Sequence, residues 1–308
     1  MGKAKLVAGV DCDAPIHAGM KVVLSSRLEE MCALRNAALD WSDPEGVHSM
    51  RVASRRLRGA LQDFVPYLQK RRLSSCLKQI KEIAGALGQV RDQDVAIMTL
   101  ERTAAKAPAE VAPGIRQFAG LRNSVREEMR VKLQPALDPD ALRQLAAKFA
   151  KALDAQADPR HRRSTTYRAV ARSIILQRLN NLEKLSNSLY HPLKIRPLHE
   201  MRIAAKHVRY ALELFEQCWG PRVSFFAPKV AGLQSSLGKL HDCDIWIEDF
   251  GDAATFQQLP EDSDHKATAV WLLTYFVKLR TKHLSAAIAQ WHEWETKDLS
   301  AQMRQALE

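Results

Sequence analysis

The sequence predicts an all-α fold, and three observations lead there. Apolar residues recur with the helical period almost throughout, and no sustained alternation suggests a strand. Glycine and proline number only 13 each in 308 residues, too few for a loop-rich chain. A long stretch of the first half also returns in the second half at a constant offset of 151.

The period places helices over 20–40, 46–68, 70–101, 113–135, 139–155, 165–191, 196–218, 222–250 and 265–294, with a last short one over 296–307. Their boundaries have ordinary chemistry. Asp43-Pro44 and Arg196-Pro197 open helices, where proline suits the first turn. Gly220-Pro221 and Gln258-Leu259-Pro260 read as turns, and Thr103–Gly114, with Pro108 and Pro113, reads as a loop. Asp154–Ser164 reads as a polar linker between the halves.

The repeat is clearest where Val47–Phe64, VHSMRVASRRLRGALQDF, meets Leu198–Phe215, LHEMRIAAKHVRYALELF. Upstream, Arg27 matches Arg178, Leu28 matches Leu179 and Asn36 matches Asn187. Downstream, after a one-residue shift, LGQVRDQDV (87–95) matches LGKLHDCDI (237–245). The expected organisation is an N-terminal tail (1–19), a helical domain over 20–295 and a C-terminal segment (296–308). The domain divides into repeats over 20–155 and 165–295. Long helices with short connections favour an antiparallel bundle in each copy, the two related by a pseudo-two-fold axis.

Lys and Arg outnumber Asp and Glu by 46 to 35, a formal charge of +11, which points to an anionic partner without choosing one. The longest apolar run, around Trp271–Val277, is far short of the ~20 residues that span a bilayer, so membrane insertion is not expected. After Lys3 and Lys5 the apolar stretch is too short for a secretory signal. Cys12, Cys32, Cys76, Cys218 and Cys243 are scattered and form no C-x-x-C pair. They read as reduced thiols in a cytosol rather than a disulfide framework or a zinc site.

Residues at helical offsets 0, 3, 7 and 10 share a face. In the first copy these are His48, Arg51, Arg55 and Arg58; in the second, His199, Arg202, Lys206 and Arg209. Each stripe is about 15 Å long at ~1.5 Å per residue. Beside it, Val47, Met50, Leu57, Leu61 and Phe64 form the face expected to enter the core. The stripe shows no acidic residue for i,i+4 compensation, which a merely solvated helix usually has. Arginine dominates, and its planar fork suits phosphate oxygens. His48 and His199 open their helices, where a bound anion is favoured and a neutral imidazole can still donate.

In the second motif, Leu87-Gly88-x-x-Arg91-Asp92-x-Asp94 and Leu237-Gly238-x-x-His241-Asp242-x-Asp244, glycine is expected to let two helices approach closely. Asp92, Asp94, Asp242 and Asp244 are expected to hold the arginines of the facing stripe. Arg27, Arg178, Lys78, Lys81, Arg91, Lys239 and His241 are expected to add secondary phosphate contacts. A metal site built on His241-Asp242 with Asp244, His199 and His48 competes, but Arg91 stands where the second copy has His241. Arginine is no ordinary ligand, so the shared property is donation to an anion, and no metal or cofactor is expected.

At these residues the chain resembles the CHAD family, the conserved histidine α-helical domain. That family's signature is roughly H-x-x-R-x-x-x-(R/K)-x-x-R followed by L-G-x-x-R-D-x-D, and both elements occur twice here. The resemblance covers residues 20–295. It implies two four-helix bundles facing each other across a basic cavity, and non-catalytic binding of inorganic polyphosphate. It also implies association with cytoplasmic polyphosphate granules and their proteins. The two stripes are then phosphate contacts. The departures are Arg56 opposite His207, and His241 in place of the arginine at 91. Glu293-Trp294-Glu295-Thr296-Lys297 matches the E-x-E-x-K mark of a triphosphate-processing β-tunnel (CYTH) domain, but no strand-rich segment surrounds it.

Two other readings remain. A nucleic-acid binder fits the charge, but no helix-turn-helix or RNP signature appears and aromatics are not interleaved with the stripes. A phosphohydrolase or metal-binding regulator lacks a Walker loop, an acidic metal cluster and a nucleophile constellation.

Overall fold

A computed structural model describes residues 7–155, 165–251 and 263–308, and these are helical almost throughout. The described chain divides into two compact units, one over Val7–Tyr167 and one from Arg168 to Glu308. Most of the proposed linker, and the turn at Gln258-Leu259-Pro260, lie outside the described residues.

The first unit contains α1 (Ile16–Ala33), α2 (Arg35–Ala38), α3 (Pro44–Asp63), α4 (Lys70–Ala104), α5 (Ala112–Ala136) and α6 (Pro139–Asp154). The helix expected over 20–40 is thus two, broken at Leu34, whose ψ of 2° leaves the helical region. Asp43 caps α3 by accepting from the Glu45 N–H, with Pro44 in the first turn. Asp138 caps α6 in the same way through Ala141. Gly46 lets α3 lie against α2: a Cβ there would stand 1.8 Å from the Ala37 carbonyl oxygen.

Helix α3 packs on α1 and α4, α4 on α5, and α6 on both α1 and α4. The face expected to enter the core does so: Val47, Met50, Leu57, Leu61 and Phe64 are all buried. Each such side chain contributes about 1.5–3 kcal/mol relative to an exposed one. Phe64 also meets Tyr167, ring centroids 6.0 Å apart, within the same unit.

The second unit contains α7 (Tyr167–Leu185, whose first residue belongs to the first unit), α8 (Ile195–Phe215), α9 (Pro221–Ser224), α10 (Ala227–Gly251), α11 (Ser263–Thr296) and α12 (Leu299–Ala306). The helix expected over 222–250 breaks after Ser224 because Pro228, which has no N–H to give, suits only the first turn of a new helix. Helix α8 packs on α10, and α10 on α11. Trp246 and Phe250 of α10 stack nearly parallel with Phe276 of α11, centroids 5.2–6.4 Å apart. Leu198, Met201, Val208, Leu212 and Phe215 bury the inner face of α8.

Two expectations meet definite outcomes. Cys32, Cys76 and Cys243 are free thiols, but Cys12 and Cys218 are disulfide-bonded, so the cysteines are not all reduced. That withdraws the support they gave to a reducing compartment. Glu293–Lys297 lies at the C-terminal end of α11 and the turn that follows, where Lys297 pairs with Glu293 at 2.6 Å, an i,i+4 helix contact and not part of a strand. Among the described residues no helix is long and apolar enough to cross a membrane.

Candidate functional site

Helix α3 presents its stripe outward. His48, Arg51 and Arg55 are half-buried and Arg58 is exposed. The Arg51 guanidinium donates through Nη2 to Asp92 Oδ1 of α4 at 3.0 Å. Asp92 is 67% exposed, so the pair is a weak surface contact that another anion can replace. Burial, then the neighbouring Arg91 guanidinium, holds the His48 imidazole below its ordinary pKa.

The second unit repeats this with one exchange. His199, Arg202 and Lys206 are half-buried on α8, and His199 Nδ1 lies 3.3 Å from His241 Nδ1 of α10. The rings are 4.2 Å apart between centroids. Burial pushes both imidazoles down. Arg202 and Lys206 add to the effect at His199; Arg202 and His199 add to it at His241, which falls to about 4. Lowering both pKa values favours the neutral forms, in which one ring can donate to the other across this contact. The first unit meets the same position with the fixed charge of Arg91.

The glycines take up matching places. A Cβ on Gly88 would lie 3.8 Å from Arg51 Nε, and one on Gly238 would lie 3.8 Å from Arg202 Nε. No other helix's backbone comes within 4 Å, so the expected close approach of two helices is corrected. The glycine lies beneath the first arginine of each stripe at ordinary van der Waals distance. Gly88→Ala and Gly238→Ala should therefore each raise the unfolding free energy, by up to about 1 kcal/mol of helix propensity. Loss of stability in urea titrations of either variant would contradict that placement.

Arg209 departs from its stripe. It is buried, donating through Nε to Glu213 Oε1 at 2.7 Å and through Nη1 to Gln234 Oε1 at 3.2 Å. The apparent lack of an i,i+4 acid is therefore corrected by Glu213, one turn beyond the window. Its counterpart in the first copy is Gln62, and Arg58 stays in solvent.

The aspartates also divide. Asp92 holds Arg51 as expected, and Asp242 is exposed on α10. Asp94 and Asp244 are buried, and each pairs with an arginine from another helix rather than with its stripe. Asp94 lies 3.5 Å from Arg126 of α5, and Asp244 accepts from Arg280 Nε of α11 at 2.5 Å. Burial raises the Asp94 pKa against the pull of Arg126, Arg91 and Arg130. Arg126 and Arg280 escaped the reading of the sequence because their offset is 154, outside the register that aligned the motifs.

Of the secondary cations, Lys78 and Lys81 on α4 and Lys239 on α10 are exposed. Arg91, Arg178 and His241 are half-buried. Arg27 is buried and bound to Glu30 at 2.7 Å. Among the described residues no group of three or more His, Cys, Asp or Glu is placed to hold a metal ion.

The CHAD domain model matches residues 22–250, about three quarters of the chain. Among solved structures, the CHAD domain from the plant Ricinus communis is similar with a TM-score of 0.73 at 23% identity, over 93% of this chain and 95% of that one. PptA from Streptomyces chartreusis is similar with a TM-score of 0.69 at 14% identity, over 91% and 100%. No curated protein sequence is significantly similar to the chain. Structures this distant in sequence establish the fold, and the matched domain establishes the family: the chain belongs to the CHAD family.

Proposed function

We propose that this protein binds inorganic polyphosphate through the α3 and α8 stripes and does not turn it over. The observation that carries the reading is the recurrence, unit by unit, of a histidine one turn into its helix, an arginine lying over a glycine, and a further cation one turn on. Arg51 and Arg202 supply guanidinium forks and Arg55 and Lys206 further charge; His48 and His199, which prove to lie one turn inside helices that begin at Pro44 and Ile195 rather than opening them, supply neutral donors. The exposed Arg51–Asp92 pair gives way to phosphate at little cost. Affinity then comes largely from counterion release and falls steeply with salt. Arg58 takes part from solvent, while Arg209, occupied by Glu213, anchors its helix. Binding without turnover fits Cys243, whose thiol burial pushes up to about 12, far from a thiolate nucleophile. Association with polyphosphate granules in the cytoplasm, beside granule proteins, is part of the same proposal.

Titration with polyphosphate of defined length tests it. R51A/R55A and R202A/K206A should each weaken binding about tenfold or more while helicity stays intact. Equal displacement of labelled polyphosphate by double-stranded DNA at matched phosphate concentration would overturn the choice of ligand. Release of phosphate with Mg²⁺ present would overturn the absence of turnover.

A further inference from the structure

The two units differ most beside their stripes, on the first long helix of each. In the first unit Arg27 is buried and donates to Glu30 at 2.7 Å, and Arg56 lies 3.7 Å from the same carboxylate. Lys21, a little earlier on α1, pairs with Asp154. The cations on this face are thus engaged by acids.

The register of 151 carries these positions onto α7 with a consistent change. Lys21 becomes Arg172, Arg27 becomes Arg178, Glu29 and Glu30 become Asn180 and Asn181, and Ala33 becomes Lys184. Both acids have become amides and a cation has been added, so the formal charge over these five positions goes from zero to +3. Here α7 lines a groove of about 710 Å³ in which Arg172, Arg178 and Lys184 are joined by Ser173, Gln177 and Asn181. No carboxylate is among its described lining residues. Glu183 is nearby on α7, but it is bound to Arg304 at 2.7 Å, and Arg304 also donates to Asn180 Oδ1 at 2.6 Å. Amide and hydroxyl donors beside three cations are the chemistry of a phosphate-binding surface.

Arg178 of α7 and Lys206 of α8 both act on His207, which burial and these two cations hold at about 4. In the first unit the corresponding junction is Arg56 with Glu30.

We infer that the second unit carries a further polyphosphate subsite on α7, lined by Arg172, Arg178 and Lys184, where the matching face of the first unit holds Lys21 against Asp154 and Arg27 against Glu30. The inference rests on the proposed function and makes the two halves unequal: the second unit offers a long chain more phosphate contacts than the first.

Long-chain polyphosphate titrated over a series of salt concentrations tests it, using the full chain. R172A should weaken binding roughly tenfold. It should also lower the slope of log affinity against log salt by about 0.7, one lost phosphate contact. K21A removes one charge at the matching position of the first unit and should leave both unchanged. N181E, which restores the acid of the first copy, should weaken long-chain binding as R172A does. Wild-type behaviour of R172A and N181E, alongside a weakened R202A/K206A, overturns this subsite alone. An equal effect of K21A also overturns it, because net charge would then be the cause. An unaffected R202A/K206A overturns the polyphosphate reading itself.

Discussion

Arg209→Met lowers the unfolding free energy by about 3 kcal/mol, whereas Arg58→Met, the matched change in the first unit, shifts it by no more than about 0.5 kcal/mol. Arg209 and Glu213 are both largely buried, 9% and 11% exposed at the side chain, and 2.7 Å apart. Removing the guanidinium takes from a buried carboxylate the cation that stands 2.7 Å from it, and that loss is the main cost. Arg58 is in solvent, so its loss strands nothing. R209M/E213L removes both charges together and should recover most of the lost stability, since a buried pair is often worth no more than well-packed apolar side chains. Urea titrations of the four chains supply the comparison. Equal destabilisation by Arg58→Met and Arg209→Met, or no recovery in the double variant, would show that the Glu213 contact does not set the cost.

A second large effect is pH dependence, and its sign differs for stability and for binding. In the ligand-free protein the His241 imidazole is held at about 4, below its ordinary value near 6.5. Its contribution to stability is therefore complete above pH 6.5 and is lost as pH falls from there toward 4. His207, also at about 4, adds to the same loss. Binding runs the other way. A phosphate beside the His199–His241 pair favours imidazolium, so binding takes up protons and tightens as pH falls from 7, by up to about tenfold per pH unit for each proton taken up. The groups acting on the pair are Arg202, Lys206 and Glu200 of α8 and Asp244 of α10, with Arg280 of α11 engaged on Asp244. His241→Arg gives the second unit the fixed charge that Arg91 supplies in the first. It should bind more tightly at pH 7 and depend less on pH. Identical pH profiles for the wild type and this variant would remove the pair from the binding step.

Much of the fold was legible because the signals were local and repeated. The periodicity marked nearly every long helix, and the core face of α3 could be named residue by residue. The helix break before α10 was missed because the apolar period runs across it, and only Pro228 marks it. In the candidate site, the stripes and the Arg51–Asp92 contact followed from matching two copies of one motif. Residue matching compares types, however, not surroundings. Arg209 looks like Arg58 until Glu213 is set against Gln62, a difference that lies one turn beyond the stripe. The destinations of Asp94 and Asp244 depend on which helix packs behind them. Arg126 and Arg280 come from α5 and α11, where the spacing between copies has drifted. Glu30 works the same way on Arg56, from a neighbouring helix.

The ties from Asp94 to Arg126 and from Asp244 to Arg280 bear on how quickly and how cheaply a ligand is held. Each anchors the helix that carries Gly88 or Gly238 to a second helix, α5 or α11. The surface under Arg51 and Arg202 is thereby set during folding, and Asp92 already restrains the Arg51 rotamer before any ligand arrives. Ordering a long cationic side chain at a binding surface ordinarily costs about 0.5–1.5 kcal/mol. A seat organised in advance spares part of that cost, so the lead arginine of each stripe is the natural point of first capture for a flexible polymer.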